Sequence, residues 1–173
     1  MTVPTPEGDP VQRLTHVDEH GRAHMVDVTG KSVTRRVAEA RCSVRSVGDV
    51  PGVLARPPGG ADLVETARIA GIMAAKRTPT LVPLCHPLLL DGFAVDVTVL
   101  DDGFAVRAVT SVADRTGVEM EALTACAATA LVLVQALLEV DPSASVEDLT
   151  LWHKSGGRSG VWDRTTGARP DPA

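Results

Sequence analysis

Apolar positions along the chain switch between a two-residue and a three-to-four-residue period, and the switches predict its elements. Val33–Val44 is rich in β-branched residues and alternates loosely, which predicts a strand. Ala23–Val28 has similar composition. Ser46–Leu54 reads as a short helix, ended by the proline and glycine loop Arg56-Pro57-Pro58-Gly59-Gly60. Asp62 then caps a helix running through Lys76, with Leu63, Ala67, Ile69, Ala70 and Met73 on one side. Phe93–Leu100 and Phe104–Val112 alternate as strands around Asp101-Asp102-Gly103, read as a three-residue hairpin loop. A long apolar helix over Val118–Val140 and a last strand over Asp148–His153 complete the order βαββαβ, an α+β ferredoxin-like arrangement with an antiparallel sheet and helices on one face.

Residues 1 to 12 and the tail from Arg164 to 173 lack periodicity and are expected to be disordered, leaving one domain over 13–163. The run from Ala122 to Leu138 is nearly all apolar, but it carries Thr124, Thr129 and Gln135 and falls short of a span, so a helix buried on several sides is expected and no membrane partner.

Composition narrows the function. Aromatics make up 2% of the 173 residues, tyrosine is absent and the net charge is −5, so nucleic acid is excluded as a partner and a small molecule is expected. Cys42, Cys85 and Cys126 form no CxxC pair and follow no signal peptide, which points to a reducing cytoplasmic compartment and to no metal or other cofactor.

Chemistry is expected where His86 returns after a proline-bounded turn. Pro87 restricts the His86 backbone to an extended form and aims its ring, suiting a general acid or base, although an exposed turn histidine fits the same spacing. Cys85 beside it reads as packing. Glu119 and Glu121 open the long helix, where the dipole stabilises carboxylates whatever their role. Lys154-Ser155-Gly156-Gly157-Arg158-Ser159-Gly160 combines cations with glycines whose amides can approach an anion, or is a plain surface turn; it lacks the P-loop pattern. Lys76 and Arg77 are helix-end charges or part of the site.

In this order, LTHVDEHGRAHMVDVTGKSVTRR, TARIAGIMAAKRT, PLCHPL, TGVEMEALTA and KSGGRSG resemble the MoaC family, the cyclic pyranopterin monophosphate synthases of molybdenum cofactor biosynthesis, over about residues 14 to 160. The resemblance implies a ferredoxin-like fold assembled as a homohexamer, a trimer of dimers, with pockets at a subunit interface. It also implies conversion of a cyclised dihydroguanosine triphosphate into cyclic pyranopterin monophosphate with release of pyrophosphate. On that likeness the family's pocket histidine falls on His86, its pocket lysines on Lys76 and Lys154, and its paired glutamates on Glu119 and Glu121. Leu84, Cys85, Met120, Lys154 and Arg158 would contact substrate.

Three family positions depart. The lysine preceding the TARIAG helix is Gly60 here, and the Asp-x-x-Lys pair of the long helix is Gln135 and Leu138. Only Lys31, Lys76 and Lys154 exist in the chain, so no shift of alignment restores the amines. Losing one positioned acid or base typically slows a reaction about 10²- to 10⁴-fold. The sequence therefore predicts an enzyme on this scaffold repurposed for cyclisation, rearrangement or elimination on a less anionic metabolite. The alternatives are the synthase itself, and a non-catalytic subunit or binder of a pterin-like ligand.

Overall fold

A computed structural model describes residues 16–18, 20–56 and 60–164. The chain runs β1 (Thr34–Arg45), α1 (Val50–Ala55), α2 (Gly60–Ala75), α3 (Thr78–Leu81), β2 (Gly92–Leu100), β3 (Gly103–Asp114), α4 (Glu119–Leu137), β4 (Ser145–Ser155) and β5 (Trp162–Asp163). The strands form one antiparallel sheet in the order β2-β3-β1-β4-β5, with β1 between β3 and β4. This is the ferredoxin-like arrangement expected, with a two-residue strand added at one edge.

Strand alternation sorts the two faces. Ala38, Ala40, Cys42 and Val44 of β1 and Phe104, Val106, Ala108 and Val112 of β3 are buried on the face that α4 covers. On the other face Glu39 pairs with Arg41 and Arg107, Arg107 reaches Asp96, and Arg41 stacks 4.3 Å from the Trp152 ring centroid. By length and composition α4 is apolar enough to cross a membrane, but it is a core helix: Ala122, Ala125, Cys126, Ala130, Leu133 and Leu137 are buried against the sheet and α2.

Several sequence expectations shift. The β2–β3 connection has two residues, because Gly103 pairs with Leu100 and belongs to the ladder; its φ of 146° and its closeness to the Val44 carbonyl leave no room for a Cβ. The expected α2 face is rotated. Ala67, Gly71 and Ala75 are buried, whereas Ile69 and Met73 are exposed, because α2 crosses α4 so closely that a Cβ on Gly71 would collide with Thr129. Gly60 opens α2 instead of closing the preceding loop. β4 is longer than Asp148–His153 and carries a register shift between Arg41 and Ser43, beside Asp148 at φ 51°. Ala23–Val28 forms no strand; Ala23 makes an isolated bridge with Val17. The expected disorder of residues 1–12 falls outside the described residues, as does that of 165–173, while Arg164 itself donates to the Trp152 and Leu151 carbonyls.

Candidate active site

Two turns place the central groups. After α3, the Cys85 amide bonds to the Val82 carbonyl, and the chain turns to present Leu84, Cys85 and His86. Opposite, the Thr110 hydroxyl of β3 donates to the Val118 carbonyl and fixes the start of α4. The Glu119 carboxylate folds back over Gly117 into the space a side chain there would take, so any larger residue at 117 would displace that carboxylate. These segments enclose a cavity of about 310 Å³ with His86, Leu84, Cys85, Thr116, Gly117, Glu119, Met120 and Glu121 in its wall, joined by His16, Val26, Val28 and Lys31 from the N-terminal segment.

The two carboxylates meet different surroundings. Glu119 takes a 3.2 Å hydrogen bond from the Lys154 ammonium of β4. Glu121 is only 3% exposed, and burial, reinforced by the Glu119 charge, pushes its carboxyl up to about 7. It therefore keeps its proton to far higher pH than a solvated carboxylate does, which suits a group that can donate one. Burial and the same two glutamates push the Cys85 thiol up, which disfavours a thiolate and leaves Cys85 as a packing and hydrogen-bonding group.

Past Glu119 and Lys31 the cavity continues into two adjoining hollows. One, about 290 Å³, is lined by Lys31, Arg36, Arg115, Lys154, Ser155 and Gly156 among others. The next, about 450 Å³, is lined by Lys31, Ser32, Arg36, Gly157, Arg158 and Ser159 among others. Arg36 ties this end together: its Nε and one Nη donate to the carbonyls of Asp114 and Arg115 at 2.9 Å. Arg115 Nε in turn donates to the Lys31 carbonyl at 3.1 Å. Gly156 and Gly157, at φ 97° and 68°, let the 154–160 loop lie against Arg35 and Arg36, where side chains would collide with the Arg35 carbonyl and the Arg36 guanidinium. The groove thus presents five cationic side chains beyond an acid and an imidazole, the layout of a site for a compact ring bearing phosphates.

Of the residues the sequence singled out, His86, Leu84, Cys85, Glu119, Met120 and Glu121 line one cavity, and Lys154 and Arg158 line its cationic extension. Lys76 does not join them: it is exposed, with its ammonium 5.4 Å from the Phe93 ring centroid. Gln135 and Leu138 lie at the far end of α4, about 21 Å along the axis from Glu121 to Gln135, and both are exposed. Gly60 opens α2, and its surroundings lie outside the described residues. Sequence reading did not single out His16, Arg36, Arg115 and Thr116, and counted Lys31 only as one of the three lysines in the chain. Among the described residues no three His, Cys, Asp or Glu side chains gather in a metal-ligating group.

The MoaC family profile matches residues 25–157. The chain belongs to the MoaC family. Among its MoaC relatives, a Nocardioides protein named cyclic pyranopterin monophosphate synthase is 52% identical over 161 residues, covering 90% of this chain and 98% of the relative. The synthase of Streptomyces coelicolor is 50% identical, covering 91% and 93%. Cyclic pyranopterin monophosphate synthase 2 of Mycobacterium tuberculosis is 48% identical, covering 87% and 91%. Likeness of this extent overturns the expectation of a MoaC scaffold repurposed for a less anionic metabolite. The physical error lay in counting only the lost amines, because Lys31, Arg36 and Arg115 had not been placed beside Lys154 and Arg158.

Proposed function

We propose that this MoaC protein is a cyclic pyranopterin monophosphate synthase, a lyase-type enzyme of molybdenum cofactor biosynthesis that rearranges cyclised dihydroguanosine triphosphate and releases pyrophosphate. The observation that supports it is the continuity between the His86–Glu121 cavity and the cationic groove. The heterocycle lies against Leu84, Cys85, His86 and Met120, and the phosphates lie toward Lys31, Lys154 and Arg158. Opening a purine ring and closing a pterin require protons to be given and taken; Glu121, buried and part-protonated near neutrality, donates, and His86 exchanges protons across the cavity. The cations oppose the charge that builds on departing pyrophosphate.

The assembly proposed with this function is a homohexamer in the cytoplasm, with each pocket at a subunit boundary. Two features support it: Lys76, Gln135 and Leu138 stand away from their own chain's cavity, and Ile69, Met73 and Leu131 are exposed on the helices by 56%, 46% and 63%. The free thiols Cys42, Cys85 and Cys126 suit a reducing compartment. The direct test incubates the purified full chain with the cyclised dihydroguanosine triphosphate. Pyrophosphate release above the enzyme-free rate, abolished by His86→Ala, is expected; release no faster than background overturns the reading.

A further inference from the structure

We propose that His16 is a ligand-contacting residue, carried by a strap from His16 to Lys31 that lines the cavity and meets the heterocyclic end of the ligand. Among the described residues the strap belongs to no helix or named strand, yet local bonds hold it. The Asp18 carboxylate accepts from the amides of His20 and Arg22 and from Arg22 Nε, and Gly21 turns the chain at φ 76°. The His24 amide donates to the His16 carbonyl at 3.0 Å, and Val17 bridges Ala23. At the other end Arg115 holds the Lys31 carbonyl. Between these anchors the strap puts His16, Val26 and Val28 into the wall of the cavity that Leu84 and His86 also line.

The deciding feature is the imidazole. His16 Nδ1 is buried and, among the described residues, has no hydrogen-bond partner. Leaving a buried polar atom unpaired is destabilising, and such an atom beside a ligand cavity is accounted for when the ligand supplies the missing partner. His16 borders the His86–Glu121 cavity and neither cationic hollow, whereas Lys31 borders all three. The strap therefore starts at the heterocycle and ends at the phosphates, and the group His16 meets is a nitrogen or oxygen on the edge of a purine- or pterin-type ring, reached by a small shift of the strap.

The ligand class rests on the proposed function, and the test separates the two. The full chain is titrated calorimetrically with guanosine triphosphate and with inorganic triphosphate, as wild type, His16→Ala and His16→Phe; the phenylalanine keeps the ring volume and removes both nitrogens. Both variants are expected to bind guanosine triphosphate about tenfold more weakly, the loss of one buried hydrogen bond, with unchanged affinity for inorganic triphosphate and a melting temperature of His16→Phe no lower than that of the wild type. Wild-type affinity of His16→Phe for guanosine triphosphate, or equal loss for both probes, overturns the assignment. Failure of the wild type to release pyrophosphate refutes the synthase reading and leaves this titration able to decide for or against His16.

Discussion

Replacing Glu121 by glutamine tests the central electrostatic claim about the site. The carboxyl is 3% exposed and is raised from its ordinary 4.5 to about 7, mainly by burial. A group whose folded pKa lies above its unfolded value contributes stability that is complete below the unfolded pKa and is lost as pH rises through the folded one. For Glu121 the window runs from about 4.5 to about 7. The displacement is worth about 3 kcal/mol at most, at 1.36 kcal/mol per pH unit. Glutamine keeps the shape and cannot ionise, so the stability of Glu121→Gln relative to wild type should be flat below pH 4.5 and climb by up to that amount by pH 8. On a chain of this size that is about 6–12 °C in melting temperature.

The assay is urea unfolding of both proteins at pH 4.5, 6, 7 and 8.5, at one protein concentration so that any assembly equilibrium is common to both. Wild-type kcat/KM is expected to fall above pH 7 as the donor loses its proton, and Glu121→Gln to be about 10²- to 10⁴-fold slower at every pH. A stability difference that stays constant from pH 4.5 to 8.5 would refute the reasoning, because it would mean that the buried carboxyl ionises as it does in water.

Gly157→Ala forces a side chain into φ 68° against the Arg36 guanidinium; melting should show a loss of about 1–2 kcal/mol, with KM for the triphosphate substrate raised more than kcat is lowered. The double change Gln135→Asp with Leu138→Lys places an acid and an amine three residues apart at the exposed C-terminal end of α4. It should leave the melting temperature within a few degrees and raise the rate of pyrophosphate release at least tenfold; an unchanged rate would show that these positions serve no pocket in the assembly.

Where packing follows a simple period, the sequence was legible. The β2–β3 hairpin is plain because Val95, Val106 and Ala108 alternate into one core. α2 was misread because periodicity rewards bulk, so Ile69 and Met73 were expected inward. Close contact with α4 selects the small residues Ala67, Gly71 and Ala75, and the bulky ones remain outside. The site shows the same contrast. His86 and the glutamates stand out beside a proline and a helix start, whereas Arg36 appears only as one charge within a strand. Its role depends on the Asp114 and Arg115 carbonyls, far away in sequence. His16 and Lys31 lie in an aperiodic segment, and the one signal available was the extended LTHVDEHGRAHMVDVTGKSVTRR likeness that contains them.

The separation of Glu119 from Glu121 suggests how the ligand's two ends are coupled. Both carboxylates face one cavity, but among the described residues only Glu119 has a cation beside it, Lys154, which also lines the groove beyond. A polyanion entering that groove competes with Glu119 for the same ammonium. As Lys154 turns toward phosphate, Glu119 loses its partner and its charge is less compensated inside the cavity. A less compensated neighbouring anion raises the Glu121 pKa further and favours its protonated form. If the proposed function holds, phosphate binding at one end would ready the proton donor at the other, through a lysine and two carboxylates already in place. Lys154→Met should then do more than weaken phosphate binding: it should abolish any upward shift of the Glu121 pKa on binding inorganic triphosphate, measured by NMR of the labelled carboxyl. An equal shift in both proteins would show that the two ends act independently.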